Sequence, residues 1–203
     1  MKIIEQVRAP NPRRVRIFLA EKGVGIPFEQ VDLGKLEHKS AEFEALNPFI
    51  SVPVLVLDDG IAISETMAIC RYFEAVQPDP NLMGSGPLEI AQIEMWARRM
   101  ELELFYRVAQ CFRHNHPAMA ALETPQVPEW GEANRPRALK TLEIMDGVLA
   151  GREFIAGDRF SVADITALVA IDFMKPARIE RPAGLTSLDR WYNEVSARAS
   201  AAA

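Results

Sequence analysis

The stretch Val52-Pro53-Val54-Leu55-Val56-Leu57-Asp58-Asp59-Gly60-Ile61-Ala62-Ile63 decides the fold. Two short apolar runs flank the turn signal Asp58-Asp59-Gly60, so the segment reads as a β-hairpin. Downstream, Ser64 caps a helix that carries Met67, Ile69, Cys70 and Phe73 at helical spacing. Upstream, Ile3, Ile4 and Val7 form a short first strand, and Val15, Phe18 and Leu19 follow on a helix that Gly23 ends. The alternating stretch 27–33 is a second strand. The order is therefore β-α-β, a linking segment, then β-β-α, which suits a small α/β sandwich around a mixed four-stranded sheet.

Beyond this region the periodicity is almost wholly helical. Pro and Gly cluster over 77–87, so the chain reads as an α/β domain at 1–78, a linker at 79–87 and an all-helical domain at 88–203. Long helical patterns run over about 88–115, 128–150, 161–175 and 187–199. Ser161-Val162-Ala163-Asp164 is a helix-start signal in which Asp164 can reach back to the cap, with Phe160 and Ile165 at the staple positions.

Composition narrows the function. The 203 residues are 49% hydrophobic and 25% charged, which excludes disorder and collagen-like structure. A formal net charge of -5 argues against nucleic acid as the main partner. Cys70 and Cys111 make neither a disulfide framework nor a metal site, and they suit a reducing compartment. The N-terminus lacks the apolar run of a signal peptide, and nothing approaches the roughly 20 apolar residues of a membrane span. The expectation is a cytoplasmic protein with no membrane partner.

Three segments carry the chemistry. In Pro10-Asn11-Pro12-Arg13-Arg14-Val15-Arg16, Asn11 reads as an N-cap and Pro12 as the first helical residue. Arg13, Arg14 and Arg16 then crowd a helix end that is already positive, so they either serve an anion or swing away into solvent or toward the second domain. Pro53 at a strand start either takes the cis form, exposing the Val52 N–H and C=O to an extended peptide, or is a trans proline on an edge strand. Ser64-Glu65-Thr66 either holds a carboxylate and an ammonium group or merely caps a helix.

Together, NPRRVRIFLAEKG, ALNPF with VPVL, ISETMAICRYFE and FIAGDRFSVADIT resemble the cytosolic glutathione S-transferase family over essentially the whole chain. The resemblance implies a thioredoxin-like N-terminal domain, an all-α C-terminal domain and a homodimer. It implies that Val52, next to cis-Pro53, pairs with the cysteinyl backbone of glutathione. Glu65 and Thr66 match the pair that holds the γ-glutamyl end. His38, with its neighbour Lys39, matches a position that contacts the glycyl end in theta-like members, and Arg13 joins the glutathione-binding set.

The chain departs from the family's better-known classes at the activating residue, where Ala9 stands in place of a serine or cysteine. That resembles an atypical class without a Tyr, Ser or Cys activator, in which a helix N-terminus and a C-domain histidine stabilise the thiolate. The resemblance thus implies Asn11 and His114 as the catalytic pair, the thiolate depending on backbone N–H groups around Asn11–Arg13. Phe105 and Tyr106 line the cleft for an apolar electrophile, with no metal or other cofactor beyond glutathione as co-substrate. The implied activity is conjugation of glutathione to a hydrophobic electrophile. The rival is a non-enzymatic glutathione-binding or protein-interaction module on the same fold.

Overall fold

The structure, a computed structural model, describes residues 1–203. The chain divides into two compact units, Met1–Asn81 with Ala202–Ala203, and Leu82–Ala201.

The first unit contains β1 (Lys2–Glu5), α1 (Pro10–Glu21), β2 (Phe28–Gln30), α2 (Ala41–Leu46), β3 (Val54–Val56), β4 (Ala62–Ser64) and α3 (Thr66–Val76). The sheet order is β2-β1-β3-β4, with β1 parallel to β2 and antiparallel to β3. The hairpin β3–β4 turns at Gly60, whose φ of 87° costs glycine nothing sterically. Because side chains alternate across a sheet, Ile4 and Val54 join Phe43 and Val31 in one core. Their neighbours Ile3 and Leu55 face the other side, with Val15, Phe18, Ile69 and Phe73 buried on α1 and α3.

Local details differ from the sequence reading. Helix α1 begins at Pro10, with Ala9 in the extended cap position, so Asn11 and Pro12 both lie inside the first turn. Pro10 meets the same requirement as Pro12, a fixed φ and no N–H to lose. Glu65 rather than Ser64 occupies the cap of α3, because Ser64 still pairs with Val54 in β4. Val7 lies past the end of β1 and is exposed. The linking segment folds a short helix, α2, where the Ser40 hydroxyl accepts from the Phe43 N–H at 3.2 Å.

One buried cation closes this unit. The Lys22 side chain is fully buried at the C-terminal end of α1. Its ammonium donates to the carbonyls of Gln77 at 2.8 Å, Pro78 at 3.2 Å and Pro80 at 2.8 Å, and it lies beside the Glu74 carboxylate.

The second unit begins with one long rod: α4 (Pro87–Arg99), a π-helical stretch at Met100–Phe105, and α5 (Tyr106–Asn115). Helices α6 (Pro128–Leu149), α7 (Val162–Met174) and α8 (Thr186–Ser196) complete it. Helix α7 is apolar on nearly every face and buried along nearly its whole length, as an all-round hydrophobic helix must be. At its start Asp164 reaches back to the Ser161 N–H at 2.9 Å, and Phe160 and Ile165 are both buried. No helix is long and apolar enough to cross a membrane.

Candidate functional site

Strand register sets side by side, at one end of the sheet, the strand ends that lead to the first unit's candidate residues. Ile4 pairs with Val54, Val54 with Ser64, and Glu5 with Gln30. The ends of β1, β2 and β4 and the start of β3 therefore lie side by side. The end of β1 leads to α1 and Asn11, and the end of β2 leads to His38 and Lys39. Val52-Pro53 precedes β3, and Glu65-Thr66 follows β4.

The α1 N-terminus is sparser in donors than the sequence reading supposes. Pro10 and Pro12 have no N–H, and the Arg13 N–H reaches the Ala9 carbonyl at 3.4 Å. The Asn11 N–H is left without an intrahelical partner. The Asn11 side chain is oriented by Arg14, whose Nη1 donates to Oδ1 at 3.3 Å. That fixes the carbonyl side of the amide and leaves its NH2 to face elsewhere. Arg14 is buried, and Arg16 donates to Glu5 at 2.6 Å and to the Val7 carbonyl at 2.9 Å. Arg14 and Arg16 are thus tied to Asn11, Glu5 and Val7, and Arg13 is half-buried at the helix start.

The Val52–Pro53 peptide bond is cis, and neither the N–H nor the C=O of Val52 has a partner in the chain. The preceding loop is held by the fully buried Asn47, whose Nδ2 donates to the Ser51 carbonyl at 2.9 Å and Oγ at 3.1 Å. Glu65 adopts φ 71° and ψ 121° at the cap of α3, with an exposed carboxylate. A non-glycine residue there costs about 1–3 kcal/mol, and such strain clusters at functional sites. Thr66, the first residue of α3, is buried. His38 is buried in a single 3-10 turn and its Nδ1 has no partner. Burial, helped by the neighbouring Lys39 charge, holds its pKa below the usual histidine range. The ring is thus neutral at pH 7 and can act only as a hydrogen-bonding group, while Lys39 is exposed and carries the charge.

In the helical unit, His114 is buried near the end of α5. Its Nδ1 accepts from the Val127 N–H at 3.0 Å, so the ring proton sits on Nε2, 3.2 Å from Gln110 Oε1. That same oxygen also accepts from Trp130 Nε1 at 2.8 Å. Phe105 is buried and stacks on Phe173 at 6.3 Å, and Phe112 lies 5.0 Å from the same ring. Tyr106 is exposed.

Comparison with known proteins decides what this arrangement belongs to. Residues 9–76 match the family model "Glutathione S-transferase, N-terminal domain", and residues 111–199 match "Glutathione S-transferase, C-terminal domain". The chain is 40% identical to Glutathione S-transferase 2 of Saccharomyces cerevisiae, across 98% of this chain and 87% of that protein. The chain belongs to the glutathione S-transferase family. The crystal structure of Gtt2 from Saccharomyces cerevisiae superposes with a TM-score of 0.94 at 40% identity, covering 98% of each chain. A glutathione S-transferase domain-containing protein from Marinobacter aquaeolei superposes at 0.96 with 42% identity, covering 98% of this chain and 99% of that one. The first unit is accordingly the family's thioredoxin-like domain and the second its all-helical domain.

Both cysteines of this transferase are poor nucleophiles. Burial pushes the Cys70 thiol up to about 12 and raises that of Cys111, whose Sγ donates to the Gly131 carbonyl at 3.1 Å. Sequence reasoning missed the orienting role of Arg14 and the loop clamp of Asn47. Asn47 stood in a motif already singled out, and a polar residue before Pro48 was the available signal. The Arg14 role had none, since three arginines in one turn look alike until one is buried.

Proposed function

We propose that this transferase binds reduced glutathione at the gathered end of its sheet and conjugates the thiolate to a small hydrophobic electrophile. The observation that carries the reading is the unpartnered Val52 N–H and C=O beside an exposed Glu65 carboxylate held in left-handed backbone. The Val52 groups would pair with the cysteinyl residue as an added strand does. Glu65 would hold the γ-glutamyl ammonium, and the α3 N-terminus with Thr66 its carboxylate. Lys39 and the neutral His38 would hold the glycyl carboxylate, and Arg13 would add positive potential. In the reaction the sulfur forms a bond to the electrophilic carbon, whose leaving group departs with its electron pair. The bound thiol must first lose its proton.

Ala9 puts no hydroxyl at the activating position, which supports placing the chain in the theta-like, activator-free class. A free thiol titrates near 8.5, and lowering it by two units needs about 2.7 kcal/mol. One helix end contributes up to about 1–2 kcal/mol, and each hydrogen bond to a charged sulfur about 1.5–3 kcal/mol. The Asn11 N–H and NH2 on α1 therefore suffice in magnitude. His114 would add a single neutral Nε2–H donor, already shared with Gln110. His114→Ala is expected to slow turnover about tenfold, about 1.4 kcal/mol, and to move the pH–rate profile to higher pH. Full activity with an unmoved profile would leave His114 only its tie to Val127.

Two further properties belong to this proposal. Reduced glutathione and two unpaired thiols fit a reducing cytoplasm and a role in detoxification. A homodimer fits the exposed apolar stripe of Leu88, Met95 and Leu102, spaced by seven along the first rod of the helical unit.

The test is Glu65→Ala. Its expected effect is a loss of glutathione affinity of at least tenfold by calorimetry, with turnover at saturation nearly unchanged. A contact remote from the sulfur binds ground and transition states alike. Unaltered affinity would remove Glu65 from the site.

A further inference from the structure

A single carboxylate, that of Glu5 at the end of β1, is buried and holds two braces. Its Oε2 accepts from Arg16 Nη1 at 2.6 Å, and its Oε1 accepts from Gln30 Nε2 at 2.8 Å. The sheet register sets Gln30 directly beside Glu5, and Arg16 comes from the second turn of α1. Both braces end on one residue. Gln30 Oε1 accepts from the Val7 N–H at 2.8 Å, and Arg16 Nη2 donates to the Val7 carbonyl at 2.9 Å. The rest of the loop between β1 and α1 is closed as tightly. The Arg8 N–H donates to Gln6 Oε1 at 2.7 Å, and the Ala9 N–H donates to the Gln6 carbonyl at 2.9 Å.

The braces do not serve the core. Val7 is 55% exposed and Arg8 is exposed, so the loop they hold buries neither side chain. A buried ion pair also adds little net stability over apolar residues of the same volume. What it supplies here is geometry, because Arg16 reaches Glu5 and Val7 together only with the loop in one place. That geometry matters at the far end of the loop. Every N–H from Val7 to Ala9 is taken, Pro10 and Pro12 have none, and the Arg13 N–H turns to the Ala9 carbonyl. Between Val7 and Arg13 the Asn11 N–H is the one backbone donor left open, and the loop sets where it stands.

We propose that Glu5, Arg16 and Gln30 are positioning residues for thiolate formation: they fix the Gln6–Ala9 loop and, through it, the Asn11 N–H at the start of α1. The proposal rests on the reading above, in which the α1 end holds the glutathione sulfur. The three act through the backbone, without a contact to the sulfur of their own. A donor aimed in advance stabilises charge where it develops, and a hydrogen bond weakens steeply as its angle closes. With one backbone donor open, no other backbone N–H makes up for a shift of this one. The charged groups around the α1 start are Glu5, Arg8, Arg13, Arg14 and Arg16. Glu5 and Arg16 cancel, so their influence on the sulfur runs through position rather than net charge.

The experiment uses Gln30→Leu and Arg16→Lys in the full chain, neither of which alters the net charge. Leucine removes the acceptor of the Val7 N–H, and one ammonium cannot replace the guanidinium fork that spans Glu5 and Val7. Gln30 lies exposed on the edge strand β2, so Gln30→Leu remains a test even where Arg16→Lys fails to fold. Two quantities are read: affinity for S-methylglutathione, which has no thiol to ionise, and the pH profile of turnover of an aryl halide. Each folded variant is expected to keep the affinity within about twofold and to move the profile up by about one pH unit. Turnover then falls about tenfold on the acidic limb and recovers above about pH 9, which a merely structural loss would not do. An unmoved profile in Gln30→Leu, or a loss equal at every pH, would overturn the inference and leave the glutathione reading standing. Failure of the unaltered protein to bind S-methylglutathione would overturn that reading, and the inference with it.

Discussion

Asp164→Ala is expected to destabilise the helical unit by about 5 kcal/mol, leaving little soluble protein at growth temperature. The buried carboxylate accepts from the Ile155 N–H at 2.9 Å, the Ser161 N–H at 2.9 Å, the Ser161 hydroxyl at 3.0 Å and Trp191 Nε1 at 2.8 Å. Truncation orphans all of these donors where no water reaches, at about 1–3 kcal/mol each before relaxation. Domains are stable by only about 5–15 kcal/mol, so the loss is a large share of the total. Near-normal soluble yield and an unchanged urea midpoint would contradict this role.

The same carboxyl sets a pH dependence of unusual sign. Burial pushes its pKa from 3.8 up to about 6, although the Ile155, Trp191 and Ser161 donors pull the other way. A folded pKa above the unfolded one means that the fold binds the proton more tightly. The group's contribution is therefore full below about pH 4 and is lost as pH rises through about 6. At about 1.4 kcal/mol per pKa unit, the stability difference between the unaltered protein and Asp164→Asn should shrink by about 3 kcal/mol between roughly pH 4 and 7. Urea unfolding across that range reads it, and a flat difference would show that the carboxyl titrates at its ordinary value.

Lys22→Met carries the second large effect. The methionine keeps most of the stem but removes the charge that serves three carbonyls and faces Glu74. Removing one partner of a buried charged cluster costs about 3–5 kcal/mol, since the remaining groups stay buried and unanswered. For a chain of this size that is a fall in Tm of roughly 10 °C. The loss should come with faster proteolysis around residues 77–80, whose backbone the ammonium holds. An unchanged Tm and protease pattern would mean that the 77–80 segment is fixed by something else.

The strand-and-turn skeleton was legible because its signals are local. Gly60 requires a turn, Ile3, Ile4, Val54 and Leu55 are short apolar runs, and Gly23, at φ 65°, ends α1 as a helix-closing glycine does. The start of α1 was misplaced by two residues because Pro10 and Pro12 are equally good openers, and only the extended backbone of Ala9 separates them. The π-helical stretch at Met100–Phe105 leaves no trace in composition, since one wider turn alters the phase of a helix and not its residues. Lys22 reads as a solvent-facing lysine on a last turn. Its burial depends on carbonyls more than fifty residues away in sequence. At the site, residue types were legible and their commitments were not. The sequence names His114, but only the fold shows that Nδ1 already serves Val127.

Glutathione at the proposed α1 site is expected to be held as its thiolate without a side-chain hydroxyl. The most direct measurement is the ultraviolet absorbance of the thiolate of saturably bound glutathione, followed through a pH series. The midpoint is expected at about 6.5, below the ordinary thiol value of about 8.5. A bound thiol that titrates as it does in water, or glutathione that does not bind saturably, would contradict it.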